Sequence, residues 1–147
     1  MKRFKEYLNE LFDNPVDFKI KSERLGDRTE YVFNLSNSEY RCLLNLKSIS
    51  ELTVAFGKAD DVEKKYKISN SGGNEIKVFS TVMAIIKDFL EDNPRVNKIE
   101  YSADIDEPSR IKLYDSMSKK LASTLGFKLD RVEFYDDAKY YILKREF

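Results

Sequence analysis

Between Ile76 and Leu90 the apolar residues Ile76, Phe79, Val82, Met83, Ile86, Phe89 and Leu90 recur at steps of three and four. That spacing lays one wide apolar stripe along a helix, while Lys77, Ser80, Lys87 and Asp88 fill other directions. Asn74 stands where its side-chain oxygen can accept a free N–H of the first turn. Asn93-Pro94 ends the helix, because the residue before proline avoids helical angles. This longest helical pattern opens from a glycine-rich turn, Ser71-Gly72-Gly73-Asn74-Glu75. A second helix is predicted over 108–125. Pro108 suits its first turn, Leu113, Tyr114, Met117, Leu121 and Leu125 mark its buried side, and Gly126 is placed to take the left-handed angle that closes it. A short amphipathic pattern, Phe4, Tyr7, Leu8, Leu11 and Phe12, predicts a helix over 1–14 that stops at Asn14-Pro15.

The remaining pattern alternates as strands do. Phe18–Leu25, Thr29–Leu35 and Tyr40–Lys47, separated by Gly26-Asp27 and Asn37-Ser38 turns, predict an antiparallel meander. Leu52–Phe56 reads as a further strand, 57–63 as a charged loop, and Tyr66–Ser69 as the strand feeding the glycine turn. Lys98–Ala103 alternates Ile99, Tyr101 and Ala103 against polar neighbours. Phe127–Leu129 and Val132–Tyr135 carry strand character, Asp136-Asp137 makes a turn, and Lys139–Lys144 is a strand again. With no repeat or linker, the expectation is one α/β layered domain over 15–147, a mostly antiparallel sheet with two main helices, preceded by the short helix at 1–14.

Composition narrows the chemistry. The 147 residues suffice for one core that buries roughly two-thirds of the unfolded chain's surface. Lys and Arg number 26, as do Asp and Glu, so no net field draws the chain to nucleic acid or an anionic membrane. No apolar run of about 18 residues could span a bilayer. Cys42, the only cysteine, sits in an alternating apolar segment and reads as a buried core thiol. The sequence holds no histidine. A histidine general base, a Ser-His-Asp triad and a histidine-containing zinc site are therefore excluded, and an enzyme here would work with carboxylates, Tyr, Lys or positioned substrate.

Three features could carry chemistry, and each also has a purely structural reading. The turn Ser71–Glu75 lies at a helix start, where unpaired N–H groups and the dipole favour an anion, or it makes a tight connection that needs glycine's positive φ. Tyr114 is a candidate acid, or a core residue with its hydroxyl hydrogen-bonded. Asp104, Asp106 and Glu107 could hold a cation or orient an amine, or cap the following helix. The tyrosines and phenylalanines alternate as strand core residues do and lack the basic stripe of a nucleic-acid surface.

The order of strand, glycine turn, helix, strand, helix and terminal hairpin, with Leu113-Tyr114 and Gly126-Phe127, resembles the GNAT acetyltransferases over residues 64–147. The resemblance implies acetyl-CoA as cofactor, its pyrophosphate held by backbone N–H groups of Ser71, Gly72, Gly73, Asn74 and Glu75, and Tyr114 protonating the departing thiolate. It also implies that the Tyr66–Ser69 and Ile99–Ala103 strands are parallel and part into a V-shaped opening. Asn70 stands where that family has Arg or Gln, Gly73 matches its first glycine, and Glu75 replaces its second small residue. A carboxylate there repels pyrophosphate, and Gly126-Phe127 follows Tyr114 about two helical turns later than in the family. Both departures imply absent or weak catalysis.

Lys77–Val82 with Ile85-Ile86, and Tyr101–Ala103 through Glu107–Tyr114, are similar over nearly the whole chain to GNAT-like proteins of tailed phages. Met1–Glu10 resembles the capsid-targeting leader of phage internal head proteins, cleaved after a triplet such as Leu8-Asn9-Glu10. These resemblances imply a protein of the host cytoplasm or the virion head, with phage head components or a host protein as partner.

Overall fold

The computed structural model describes residues 15–24, 28–58, 75–104, 108–135 and 138–146. Its elements in chain order are β1 (Phe18–Arg24), β2 (Arg28–Leu35), β3 (Ser38–Leu46), β4 (Glu51–Lys58), α1 (Glu75–Asp92), β5 (Lys98–Asp104), α2 (Pro108–Leu125), β6 (Lys128–Tyr135) and β7 (Ala138–Lys144). The strands form one seven-stranded sheet in the order β1-β2-β3-β4-β5-β7-β6. Every pairing is antiparallel except β4 with β5. The expected mixed, mostly antiparallel α/β sheet with two main helices is therefore present. The expected helix at 1–14, the Gly26-Asp27 turn, the strand at Tyr66–Ser69 and the turn Ser71–Asn74 lie outside the described residues.

The alternation of β3 and β4 explains the layering. Tyr40, Cys42 and Leu44 on β3, and Leu52, Val54 and Phe56 on β4, are buried on one face, and both helices close that face. From α1 come Val78, Phe79, Val82, Met83, Ile85, Ile86, Phe89 and Leu90, and from α2 come Tyr114 and Leu121. Cys42 lies within this core and is fully buried. Among the described residues, no helix is long and apolar enough to cross a membrane.

Four details depart from the sequence pattern. Ser80, read as part of the polar side of α1, is buried together with Thr81. Thr81 turns its hydroxyl proton to the Lys77 carbonyl at 2.8 Å and accepts the Val16 N–H at 3.0 Å, so the chain entering β1 covers that side of α1. The β2–β3 turn lies one residue earlier than expected, at Ser36 and Asn37. Both have positive φ (51° and 64°), as a two-residue hairpin turn following the twist of its strands requires. Phe127–Leu129 and Val132–Tyr135 are not separate strands, because β6 runs through both with a bulge between Leu129 and Arg131. Finally, the described strand parallel to β5 is β4.

The helix ends are as chemically marked as the sequence suggests. Asn93 donates its side-chain N–H to the Phe89 carbonyl at 3.0 Å, satisfying a free acceptor at the end of α1. Gly126 closes α2 at φ 74°. Arg145 then ties the ends together, donating from Nε to the Val96 carbonyl at 2.9 Å, from one terminal nitrogen to the Leu125 carbonyl at 3.4 Å, and from the other to the Pro94 carbonyl at 3.3 Å. Its guanidinium lies 4.7 Å from the centre of the Phe127 ring, a cation–π contact.

Two substitutions separate packing from backbone geometry. Ile86→Ala in the fully buried face of α1 is expected to cost about 2–5 kcal/mol in a urea titration. At Gly126 nothing lies within 4 Å of an added Cβ, so Gly126→Ala is expected to lose only the backbone cost of the left-handed angle, about 1–2 kcal/mol.

Candidate functional site

The site follows from how briefly β4 and β5 stay together. Their parallel register runs from Glu51↔Lys98 through Leu52↔Ile99 to Thr53↔Glu100 and then stops. β4 continues along β3 as far as Lys58, and β5 continues along β7 as far as Asp104. Beyond the third pair, each strand keeps its outer neighbour and loses the inner one. Among the described residues this leaves two diverging backbone edges, 54–58 and 101–104, with no ladder partner between them.

On the helix face this gap is bridged by aromatic rings. The Tyr114 ring lies 5.8 Å from Phe56 of β4 and 6.0 Å from Tyr101 of β5, so it spans the two parting strands. Phe79 of α1 lies 4.9 Å from Tyr114 and 5.6 Å, edge-on, from Phe56. Tyr141 of β7 stacks on Tyr101 at 5.2 Å and on Tyr114 at 6.0 Å. Phe79 is four residues into α1, which brings the start of that helix over the open end of β4.

Polar contacts under the rings set the height of α2. Ser118 donates its hydroxyl proton to the Tyr114 carbonyl at 2.9 Å, one turn back along the helix. The Ser118 oxygen is left to accept the Tyr101 hydroxyl, giving a buried chain from β5 through Ser118 to the backbone of Tyr114. Beside it, Asp115 accepts the Tyr141 hydroxyl at 2.7 Å and the Lys139 ammonium at 3.1 Å on the same oxygen. The Lys139 ammonium also sits 5.0 Å from the centre of the Tyr141 ring. Lys139 is mostly buried while Asp115 is partly exposed, so the carboxylate is the water-facing member of the group.

Burial and these contacts move the tyrosines. Tyr141 is raised well above the ordinary phenol value, first by burial and then by its hydrogen bond to Asp115. Tyr101 is raised by burial, with Asp115 adding to the effect. Tyr31, which donates to Asp88 at 3.1 Å, is raised by burial and by that bond, and burial raises the Cys42 thiol.

Of the residues singled out in the sequence, Tyr114 is placed in the gap. Ser71, Gly72, Gly73 and Asn74 lie outside the described residues, and Glu75 is the first residue of α1. Asp104 ends β5, whereas Asp106 and Glu107 lie outside the described residues. Sequence reasoning passed over Asp115, Ser118, Lys139 and Tyr141. Asp115 adjoins Tyr114, and Ser118 lies one helical turn further on the same side, which is the signal that was available. A second opening, about 790 Å³, lies at the opposite end of the sheet beside Gly126. Its lining mixes Lys98, Lys128, Lys144 and Arg145 with Glu51, Asp130 and Glu146, so charges of both signs face it.

The architecture has known counterparts. The chain superposes on an acetyltransferase of Bacillus subtilis solved with CoA at a TM-score of 0.50 and 10% identity, covering 88% of this chain and 97% of that one. It superposes on RimL, a ribosomal L7/L12 alpha-N-protein acetyltransferase in complex with coenzyme A, at 0.50 and 11%, covering 82% and 63%. For the N-acetyltransferase PseH of Campylobacter jejuni the values are 0.49 and 11%, covering 83% and 71%. The chain thus spans less than two-thirds of RimL. No protein-family model matches the sequence, and no curated protein does. The fold is that of the GNAT acetyltransferases; identities of 10–11% carry the architecture and not an activity.

The raised tyrosines and thiol give a pH dependence with a definite sign. A group whose folded value lies above its unfolded value stabilises the fold below the unfolded value, and that contribution falls as pH rises above it. The ordinary values are 10.0 for Tyr31, Tyr101 and Tyr141 and 9.0 for Cys42. The urea midpoint is therefore expected to stay level from neutral pH to about 9 and to drop steeply above about 10. Tyr141→Phe should make that drop shallower.

Proposed function

We propose that this protein is a slow acetyl-CoA-dependent N-acetyltransferase working in the gap between β4 and β5. The observation that carries the reading is Tyr114, whose ring spans the two strands where their pairing ends. The diverging edges fit an extended amide-bearing chain, because backbone N–H and C=O groups there can pair with amides as a third strand would. The start of α1 lies over the same end, so N–H groups around Gly72–Glu75 suit the pyrophosphate.

Acetyl-CoA supplies an activated acyl group as a thioester. The amine nitrogen forms a bond to the carbonyl carbon, and the carbon–sulfur bond breaks. Tyr114 gives its phenolic proton to the departing sulfur, and the amine's proton passes to water or to the partly exposed carboxylate of Asp115. Ser118 and Tyr101 hold the helix carrying Tyr114 in place. Glu75 is why the reaction is slow: a carboxylate in the first turn opposes the charge that the turn must hold.

A second reading rests on that same carboxylate and on the leader-like residues Met1–Glu10. In it the domain is a phage-encoded, non-catalytic protein, packaged in the head or acting on a host partner. Mass spectrometry of mature particles tests it, with a chain beginning at Leu11 expected; an intact Met1, or absence from particles, removes it.

For the enzyme reading, acetyl-CoA is expected to raise the melting temperature, and Gly73→Asp to abolish that rise. Glu75→Gln should enlarge it. Tyr114→Phe is expected to keep the rise while lowering kcat for a general amine acceptor by about 100-fold or more. A flat melting temperature at millimolar acetyl-CoA would sink this reading.

A further inference from the structure

Among the described residues, β6 is the last strand of the sheet and pairs only with β7, and it is exposed along its whole length except at Val132, which is half-buried. It carries three of the large apolar residues most exposed to water: Leu129, Phe134 (68%) and Tyr135 (70%). An edge of this kind offers its free N–H and C=O groups to another strand. The question is which strand fits.

The bulge answers it. Leu129 sits opposite Leu143 and Val132 opposite Tyr141, both on the core side of β7, and Phe134 sits opposite Lys139 on that same side. Without the extra residue, Leu129 would fall on the other side. With it, Leu129, Val132 and Phe134 share the helix-side face, and Arg131, Glu133 and Tyr135 share the opposite one. Arg131 and Glu133 already pair within the strand at 3.1 Å and are both half-exposed.

We propose that β6 is the docking edge for a second copy of this chain, joined antiparallel about a two-fold axis at Val132. In that register Val132 faces its own copy, and each Arg131 faces the other chain's Glu133. Each Phe134 meets the bulge of the other chain, beside Leu129 on the same face. One face of the junction is apolar and the other holds two opposite-charge cross-strand pairs. The strand is complementary to itself, as a two-fold interface requires. Shifting the axis one residue, to Glu133, would set like carboxylates against each other. The two sheets would then join into one, with three strands, β5, β7 and β6, between the gap of each copy and its own docking edge, so assembly leaves both gaps open.

The junction is short, so association belongs in the micromolar range. Sedimentation velocity of the full chain over that range should show a monomer–dimer equilibrium. Arg131→Glu alone and Glu133→Arg alone should each weaken the dimer at least tenfold, and the double exchange should restore it. The single changes also disturb the pair within the strand. Urea midpoints taken at a concentration where the chain is monomeric separate that effect, and they should be similar for all three variants. A wild-type chain that stays monomeric throughout overturns the proposal, as does a double exchange that dimerises no better than the single changes. Association that survives both single changes assigns the contact to another surface and equally overturns it.

Discussion

Three backbone pairs hold β4 against β5, and everything that distinguishes this molecule from a plain antiparallel sheet follows from their stopping there. Strands that part expose backbone and side chains together, and the side chains must be covered by something wide. Phe56, Phe79, Tyr101, Tyr114 and Tyr141 do this with rings 4.9–6.0 Å apart. Aromatic rings suit the task because each buries a large area and favours offset or edge contacts over a fixed lattice of interdigitated methyl groups. The cost is polar: each tyrosine brings a hydroxyl into a dry region. Ser118 takes that of Tyr101 and Asp115 that of Tyr141, so the cover also fixes a carboxylate and an ammonium at the rim of the gap.

Arg145 meets a different demand at the other end of the sheet. Both helices end there, and each end leaves carbonyls without helical partners. One guanidinium reaches carbonyls just after α1 and at the end of α2, while its own N–H bonds the Asn97 carbonyl. Its planar fork suits several divergent acceptors better than an ammonium would. The contact anchors the end of the molecule where β4 and β5 are joined and leaves the parting end to the rings.

The elements with a strong local pattern were legible in the sequence. The three- and four-step spacing of Ile76 to Leu90, and Pro108 with Gly126, mark α1 and α2 to the residue or nearly so. What the sequence hid depends on partners distant along the chain. Ser80 and Thr81 look polar, yet both are buried, and Thr81 receives the N–H of Val16, 65 residues away. A bulge carries no hydrophobic signature, so the break at Asp130 read as a gap between two strands. The strand parallel to β5 could not be chosen from pattern alone, because Leu52–Phe56 and Tyr66–Ser69 alternate equally well. Tyr114 was visible as a tyrosine on a buried helix side, but Lys139 and Tyr141 reach its neighbour Asp115 across 24 and 26 residues, where local periodicity has nothing to say.

The place of β7 has a consequence for synthesis. It is the latest of the described strands to be made, yet it lies inside the sheet between β5 and β6. Until residue 144 has left the ribosome, β6 lacks its described partner β7, and among the described strands β5 is held by three residue pairs to β4. The β1–β4 meander can form early from near neighbours, but the half bearing Tyr114 must wait for the final insertion. During that interval the aromatic cover and the open strand edges are exposed together, which makes the nascent chain a natural client for a chaperone at the tunnel exit.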